Sequence, residues 1–160
     1  MKRILTAIML FVSLPLGVYD EPISVDAVKV KDGDTIKIGR DTYRMIGYDT
    51  PEVWTARREV SRHEKAIAIV AKNRFIELLH SGPLDLTEVP CSCAAATLGT
   101  KKCNYGRKCA ILTLAGNNIG ETLIAEDLAM PFVCGPTRCP KLPDWPKIID
   151  QQFPDNAKEQ

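Results

Sequence analysis

Apolar positions recur every second residue near the start of the chain's patterned region. Val28 and Val30 alternate with lysines, and Ile36 and Ile38 alternate with polar residues. That period belongs to half-buried strands. Asp32-Gly33 is a hairpin turn signal, and Gly39-Arg40-Asp41 is a weaker second one. The spacing predicts a three-strand meander, roughly 25–31, 35–38 and 42–48. The period then changes. Over residues 62–80, Ile67, Val70, Ala71, Phe75, Leu78 and Leu79 fall at helical spacing on one face. Ser61 with Glu64 reads as a capping box, and Ser81-Gly82-Pro83 as a stop. Leu84–Val89 alternates again and predicts a fourth strand, and Lys108–Leu114 predicts a fifth. Gly116-Asn117-Asn118 turns the chain into a second helix over 119–130, with Ile119, Leu123, Ile124 and Leu128 inward. Beyond Pro131 the pattern breaks, with six of the 11 prolines between residues 131 and 154. There Asp144-Trp145-Pro146 offers a start for a short helix to about residue 153. Residues 154–160 are expected to fray. Periodicity by itself supports a small α+β domain.

Composition sets the compartment. Lys2-Arg3 precedes an apolar run over residues 4–18, broken by Ser13 and Pro15. That is the length of an export signal and short of the roughly 20 residues of a membrane span. An uncleaved anchor is the alternative. Without Lys2 and Arg3, 19 of the 21 basic residues stand against 20 acidic ones, so the +1 chain becomes −1. Bulk attraction to polyanions is therefore excluded, and any such contact must come from local patches. Six cysteines behind an export signal read as disulfides in a secreted or periplasmic protein. If strands four and five form a hairpin, paired positions have a nearly constant index sum. That favours Cys91 with Cys109 and Cys93 with Cys103, leaving Cys134 with Cys139. The rival is a zinc site on Cys91, Cys93, Cys103 and Cys109, although their spacing fits no common zinc ribbon or finger.

Four carboxylates crowd into one short run: Asp32, Asp34, Asp49 and Glu52. Antiparallel pairing of strands two and three brings Asp34 and Asp49 to the same end of the sheet. Two charges at 4 Å repel by about 4 kcal/mol at an effective dielectric of 20. A bound cation is the natural compensation, and an all-oxygen donor set suits calcium or magnesium better than zinc. Asp-Gly-Asp-Thr alone also reads as a plain turn. Arg44 lies five residues before Asp49, about 16 Å along a straight strand. The two share a site only if the chain bends, and Gly47 marks the place for a bulge.

Asp32-Gly33-Asp34-Thr35, Arg44, Asp49-Thr50-Pro51-Glu52 and Tyr105-Gly106-Arg107 occur in that order. This set resembles the motifs of the staphylococcal-nuclease (thermonuclease) family, over roughly residues 25–132. The resemblance implies a five-stranded OB-type β-barrel with two main helices over residues 23–132. An irregular Pro-rich C-terminal segment, 133–160, would pack on that domain. It further implies Ca2+ held by Asp34, Asp49 and the Thr50 carbonyl, with Asp32 ordering a water behind them. Glu52 would be the general base. Arg44 and Arg107 would stabilise the five-coordinate phosphorus.

Tyr105 matches a position that approaches the 5′ phosphate. The lysine often found before that tyrosine is Asn104 here, and Phe132 is the nearest candidate for a base-stacking aromatic. Lys101, Lys102 and Lys108 form one basic cluster, and Arg57, Arg58, Arg62 and Lys65 another. Each reads either as a phosphate track or as a solvated face. His63, His80, Trp54 and Trp145 suggest surface or packing roles. The expectation is an exported, monomeric, calcium-dependent nuclease acting on DNA, RNA or both. Its rivals are a non-catalytic OB module of the cell envelope that binds nucleic acid or a partner, and an envelope protein with another polyanion substrate.

Overall fold

A computed structural model describes residues 23–152. The expected export signal and the tail at 154–160 lie outside the described residues. The meander consists of β1 (Val28–Val30), β2 (Thr35–Ile38) and β3 (Asp41–Met45), joined as antiparallel hairpins. The expected first strand is shortened because 25–27 form a 3-10 turn. Helix α1 (Arg62–Leu79) follows after a loop, then β5 (Leu84–Val89) and β6 (Lys108–Leu114), with β4 (Gly47–Asp49) placed between β3 and α1. The main sheet runs β1-β2-β3-β6-β5, with β3 and β6 parallel and the other pairs antiparallel. It curls into a half-barrel, an OB-type α+β fold. Among the described residues no helix is long and apolar enough to cross a membrane.

The third strand of the sequence reading is two strands. β3 ends at Met45, the chain bends at Ile46, and Gly47 takes a φ of +94° that other residues rarely adopt. The two-residue β7 (Asn117–Asn118) pairs with β6, and β4 leaves the main sheet to pair with β8 (Met130–Phe132). That second pairing also shortens the second helix. α2 (Ile119–Ala125) stops five residues before the expected end. Asp127 enters the left-handed region at φ +59°, and the Leu128 amide bonds back to the Leu123 carbonyl at 2.9 Å. This is the ring that closes many helix C-termini, and it frees Met130–Phe132 to become a strand.

The core lies between the concave sheet and the helices. Ile36, Met45 and Ala110 from the strands meet Phe75, Leu78 and Leu79 from α1, and Ile119 and Leu123 from α2. The buried face of α1 is Glu64, Ala68, Ala71, Phe75, Leu78 and Leu79. Ala71, Phe75, Leu78 and Leu79 lie on it as expected; Val70 is 53% exposed, and at the N-terminal end Glu64 rather than Ile67 is buried, held by polar partners described below. α3 (Trp145–Gln152) buries Trp145 and Ile149 and packs on α1, so the Pro-rich segment folds back on the domain.

All six cysteines are paired, Cys91 with Cys109, Cys93 with Cys103 and Cys134 with Cys139. The hairpin register runs from Leu84↔Leu114 to Val89↔Cys109. The constant sum along β5 and β6 is thus what carries the first two bridges into place. With no free thiol, the zinc alternative is set aside. Three disulfides fit an oxidising compartment.

Candidate active site

The β1–β2 turn, the β3–β4 bend and the turn before β6 converge at one end of the half-barrel. They surround a cleft of about 590 Å³ lined by Asp32, Asp34, Arg44, Asp49, Glu52 and Arg107. Two close approaches fix the turns against each other. Gly33 lies so near Thr50 that an added Cβ would sit 2.7 Å from its methyl. The buried Tyr48 hydroxyl donates to the Gly33 carbonyl at 3.2 Å.

Arg44 is the centre of the arrangement. Its Nη1 lies 2.9 Å from Asp34 Oδ2 and its Nη2 2.7 Å from Asp49 Oδ1. Nη1 also donates to the Met45 and Tyr48 carbonyls. The bend at 46–47 therefore wraps the chain around its own guanidinium, which removes the distance expected of a straight strand. Asp34 also accepts from the Thr35 hydroxyl, and from the amide and hydroxyl of the buried Thr50. The second oxygen of Asp49 accepts from Trp145 Nε1 at 2.9 Å, a donor delivered by α3. Asp32 turns inward and accepts the Asp34 amide.

One guanidinium does not balance this cluster. Burial pushes the Asp34 carboxyl up to about 8, against Arg44, with Asp32 and Asp49 pushing the same way. Burial likewise raises Asp49, opposed by Trp145 and Arg44. Glu52 is raised by burial and by the neighbouring Asp32 and Asp49. Among the described residues no group of three His, Cys, Asp or Glu side chains is gathered in metal-holding geometry. Asp34 and Asp49 are instead both paired with Arg44. Hard-oxygen donors with uncompensated negative charge fit a divalent cation such as calcium, which would share these carboxylates with Arg44.

Arg107 reaches the cleft from the other wall. The turn before it is left-handed: Asn104 and Tyr105 have φ of +48° and +58°, a region that asparagine enters readily and tyrosine only at a cost. The bridges at Cys93–Cys103 and Cys91–Cys109 bracket this turn, the kind of surrounding constraint that lets strain persist. Asn104 then holds Arg107. Its carbonyl accepts from Nε at 3.2 Å and its Oδ1 from Nη2 at 2.9 Å, while Nη1 lies 3.4 Å from the Thr35 hydroxyl. Burial lowers the Arg107 pKa, with Arg44 adding to the effect.

The remaining expected contacts divide. Tyr105, 77% exposed, lines the cleft with Lys102 and Phe132. Lys101 is exposed and not part of the lining. Lys108 faces away: it pairs with Asp41 at 3.0 Å and Glu88 at 3.2 Å and lies over the Tyr43 ring. Arg107 precedes β6 in extended backbone, and successive extended residues point to opposite sides, which sets Lys108 away from the cleft. Of the other cluster, Arg57 lines the cleft near Glu52, whereas Arg58 is bound to Glu64. Trp145, Asn104 and Glu64 had no place among the expected site residues. A buried tryptophan needs an acceptor for its N–H, but that signal names no partner.

No protein-family model matches the chain. Two curated bacterial proteins are similar to it. Endonuclease YncB of Bacillus subtilis (strain 168) is 32% identical over 111 residues, which cover 67% of this chain and 47% of the relative. SPbeta prophage-derived endonuclease YokF of the same strain is 32% identical over 113 residues, 68% of this chain and 34% of the relative. The chain thus spans about half, or less, of the curated relatives it matches. With its ordered motifs, its OB-type half-barrel and these two relatives, the chain fits a thermonuclease-like nuclease family.

Proposed function

We propose that this chain is an exported, calcium-dependent nuclease that hydrolyses phosphodiester bonds of DNA, RNA or both. The observation that carries the reading is the convergence of Asp34, Asp49, Glu52, Arg44 and Arg107 on one cleft from four separate segments. The names of the two relatives support it at the level of nucleic-acid cleavage. Asp34, Asp49 and the Thr50 carbonyl would hold calcium, with Asp32 behind them. A calcium ion held there would supply positive charge against the phosphate as negative charge builds up. Glu52 takes a proton from the attacking water, and its raised pKa makes it a stronger base once ionised. Arg107 presents a planar fork to phosphate oxygens, while both ends of the Arg44 fork are held by Asp34 and Asp49, so Arg44 would act on a phosphate through the charge it brings to those carboxylates. The attacking oxygen bonds to phosphorus, one ester P–O bond breaks, and the leaving alkoxide is protonated. Tyr105 and Phe132 offer exposed or half-exposed rings to the rest of the substrate.

The test is cleavage of single- and double-stranded DNA and RNA by the purified, oxidised protein, with calcium and with chelator. Cleavage that requires calcium is expected. Binding without cleavage of any substrate would overturn the reading in favour of a non-catalytic OB module.

The bridges give a second expected outcome. Cys91–Cys109 spans 18 residues, and a loop of about that size is worth roughly 3 kcal/mol in chain-entropy terms. Mild reduction should loosen the turn that holds Arg107 before it melts the half-barrel. Activity should therefore fall at a reductant level where far-UV circular dichroism is unchanged. Coincident loss of the two signals would show that the bridges hold the whole domain, not the turn.

A further inference from the structure

We infer that Glu64 is a positioning residue, one that holds Glu52 in place from the first turn of α1. This rests on the reading of Glu52 as general base. Glu64 is a carboxylate with 0% exposure, and a charge so buried needs dedicated partners. Its Oε1 accepts the Glu52 backbone amide at 3.1 Å. Arg58 closes on both oxygens, at 2.6 and 2.7 Å, and the same guanidinium reaches the Glu59 carbonyl.

The helix cap alone does not need this arrangement. Ser61 already accepts the Glu64 amide at 3.1 Å. In a full capping box the glutamate side chain would return to the Ser61 amide; here it crosses to Glu52 instead. Between Glu52 and α1 the chain has neither helix nor strand, and Val53, Trp54, Ala56, Arg57 and Glu59 are exposed. Glu64 therefore ties the backbone of Glu52 to a helix anchored in the core by Ala68, Ala71 and Phe75. Arg58 straps the intervening loop onto the same carboxylate. Displacement of a reacting group by about 1 Å can cost a hundredfold in rate, so this tether bears directly on turnover.

A double-mutant cycle with calcium-loaded enzyme tests the role. Glu64→Gln keeps the shape and breaks the bidentate pair; Arg58→Gln releases the strap from its partly exposed end, should Glu64→Gln not fold. Either should lower kcat at least about tenfold with KM within about twofold. In a Glu52→Gln background Glu64→Gln should change kcat less than about twofold, because its effect passes through the missing base. Arg74→Gln, which breaks a surface pair with Glu126, is the control: kcat should not change, whatever the change in stability. An equal loss in both backgrounds, or wild-type kcat in a folded Glu64→Gln or Arg58→Gln protein, would overturn the role. Exchange of the Glu52 amide, followed by NMR, decides without reference to activity. It should quicken in Glu64→Ala, which removes the acceptor that glutamine would keep, and unchanged protection overturns the tether. If Glu52→Gln itself costs nothing, the general-base reading falls, and the positioning role with it.

Discussion

Arg107→Lys should lower turnover by about a hundredfold or more, while the melting temperature stays within a few degrees of wild type. Among the described residues Arg107 has no carboxylate at ion-pairing distance, in contrast to Arg44, which spans Asp34 and Asp49. Its contacts are neutral: the Asn104 carbonyl and amide oxygen, and the Thr35 hydroxyl. Those contacts orient the guanidinium without neutralising it, leaving its charge for a phosphate. Lysine keeps the charge and loses the fork, and it cannot bond two oxygens in a plane. Arg44→Lys should behave differently. It removes the bridge between two buried carboxylates and should cost stability as well as rate. Single-turnover cleavage and thermal melts on both variants separate the two cases. Near wild-type turnover in Arg107→Lys would show that a point charge in that place suffices.

The elements of this fold were legible where local pattern decides them. Period-two alternation located β1, β2 and β5, and the β5–β6 index sum carried the cysteine pairing because a hairpin register is a local rule. The bend at Gly47 followed from a distance that a straight strand could not span. The misses share a different cause. α2 was drawn too long because nothing in its periodicity reveals that Met130–Phe132 would find β4 as a partner. The α1 face is as expected at Ala71, Phe75, Leu78 and Leu79 and differs at its N-terminal end, where Glu64 is held by the Glu52 amide and Arg58, partners that no helical pattern records. Trp145 meets Asp49 across 96 positions of sequence. Lys108 is another matter: it opens β6 directly after the extended Arg107, so its opposite orientation follows from local alternation alone.

Without divalent cations the protein should be more stable at pH 5 than at pH 8, and calcium should close most of the gap. The Asp34 carboxyl is raised from its ordinary 3.8 to about 8, first by burial and then by Asp32 and Asp49. Asp49 and Glu52 are raised as well, each chiefly by burial. A folded state that holds protons more tightly than the unfolded chain is favoured at low pH. The stabilisation is complete below the unfolded value and is lost as pH rises through the folded one, here from about 4 to about 8. Calcium acts in the opposite sense, since it binds the ionised carboxylates of the folded site. At a hundred times its Kd it would add about 2.7 kcal/mol, or roughly 5–10 °C for a chain of this size. The calcium shift should therefore be large at pH 8 and small at pH 5. Asp34→Asn removes both the strained charge and the ligand. Its chelated melting temperature should vary less with pH, and most of its calcium shift should vanish. Melting curves at pH 5, 6.5 and 8, with calcium and with chelator, read all of this in one set. A flat chelated profile in the wild type would mean that Arg44 alone neutralises the cluster. An undiminished calcium shift in Asp34→Asn would remove Asp34 from the ligands and move the ion elsewhere in the cleft.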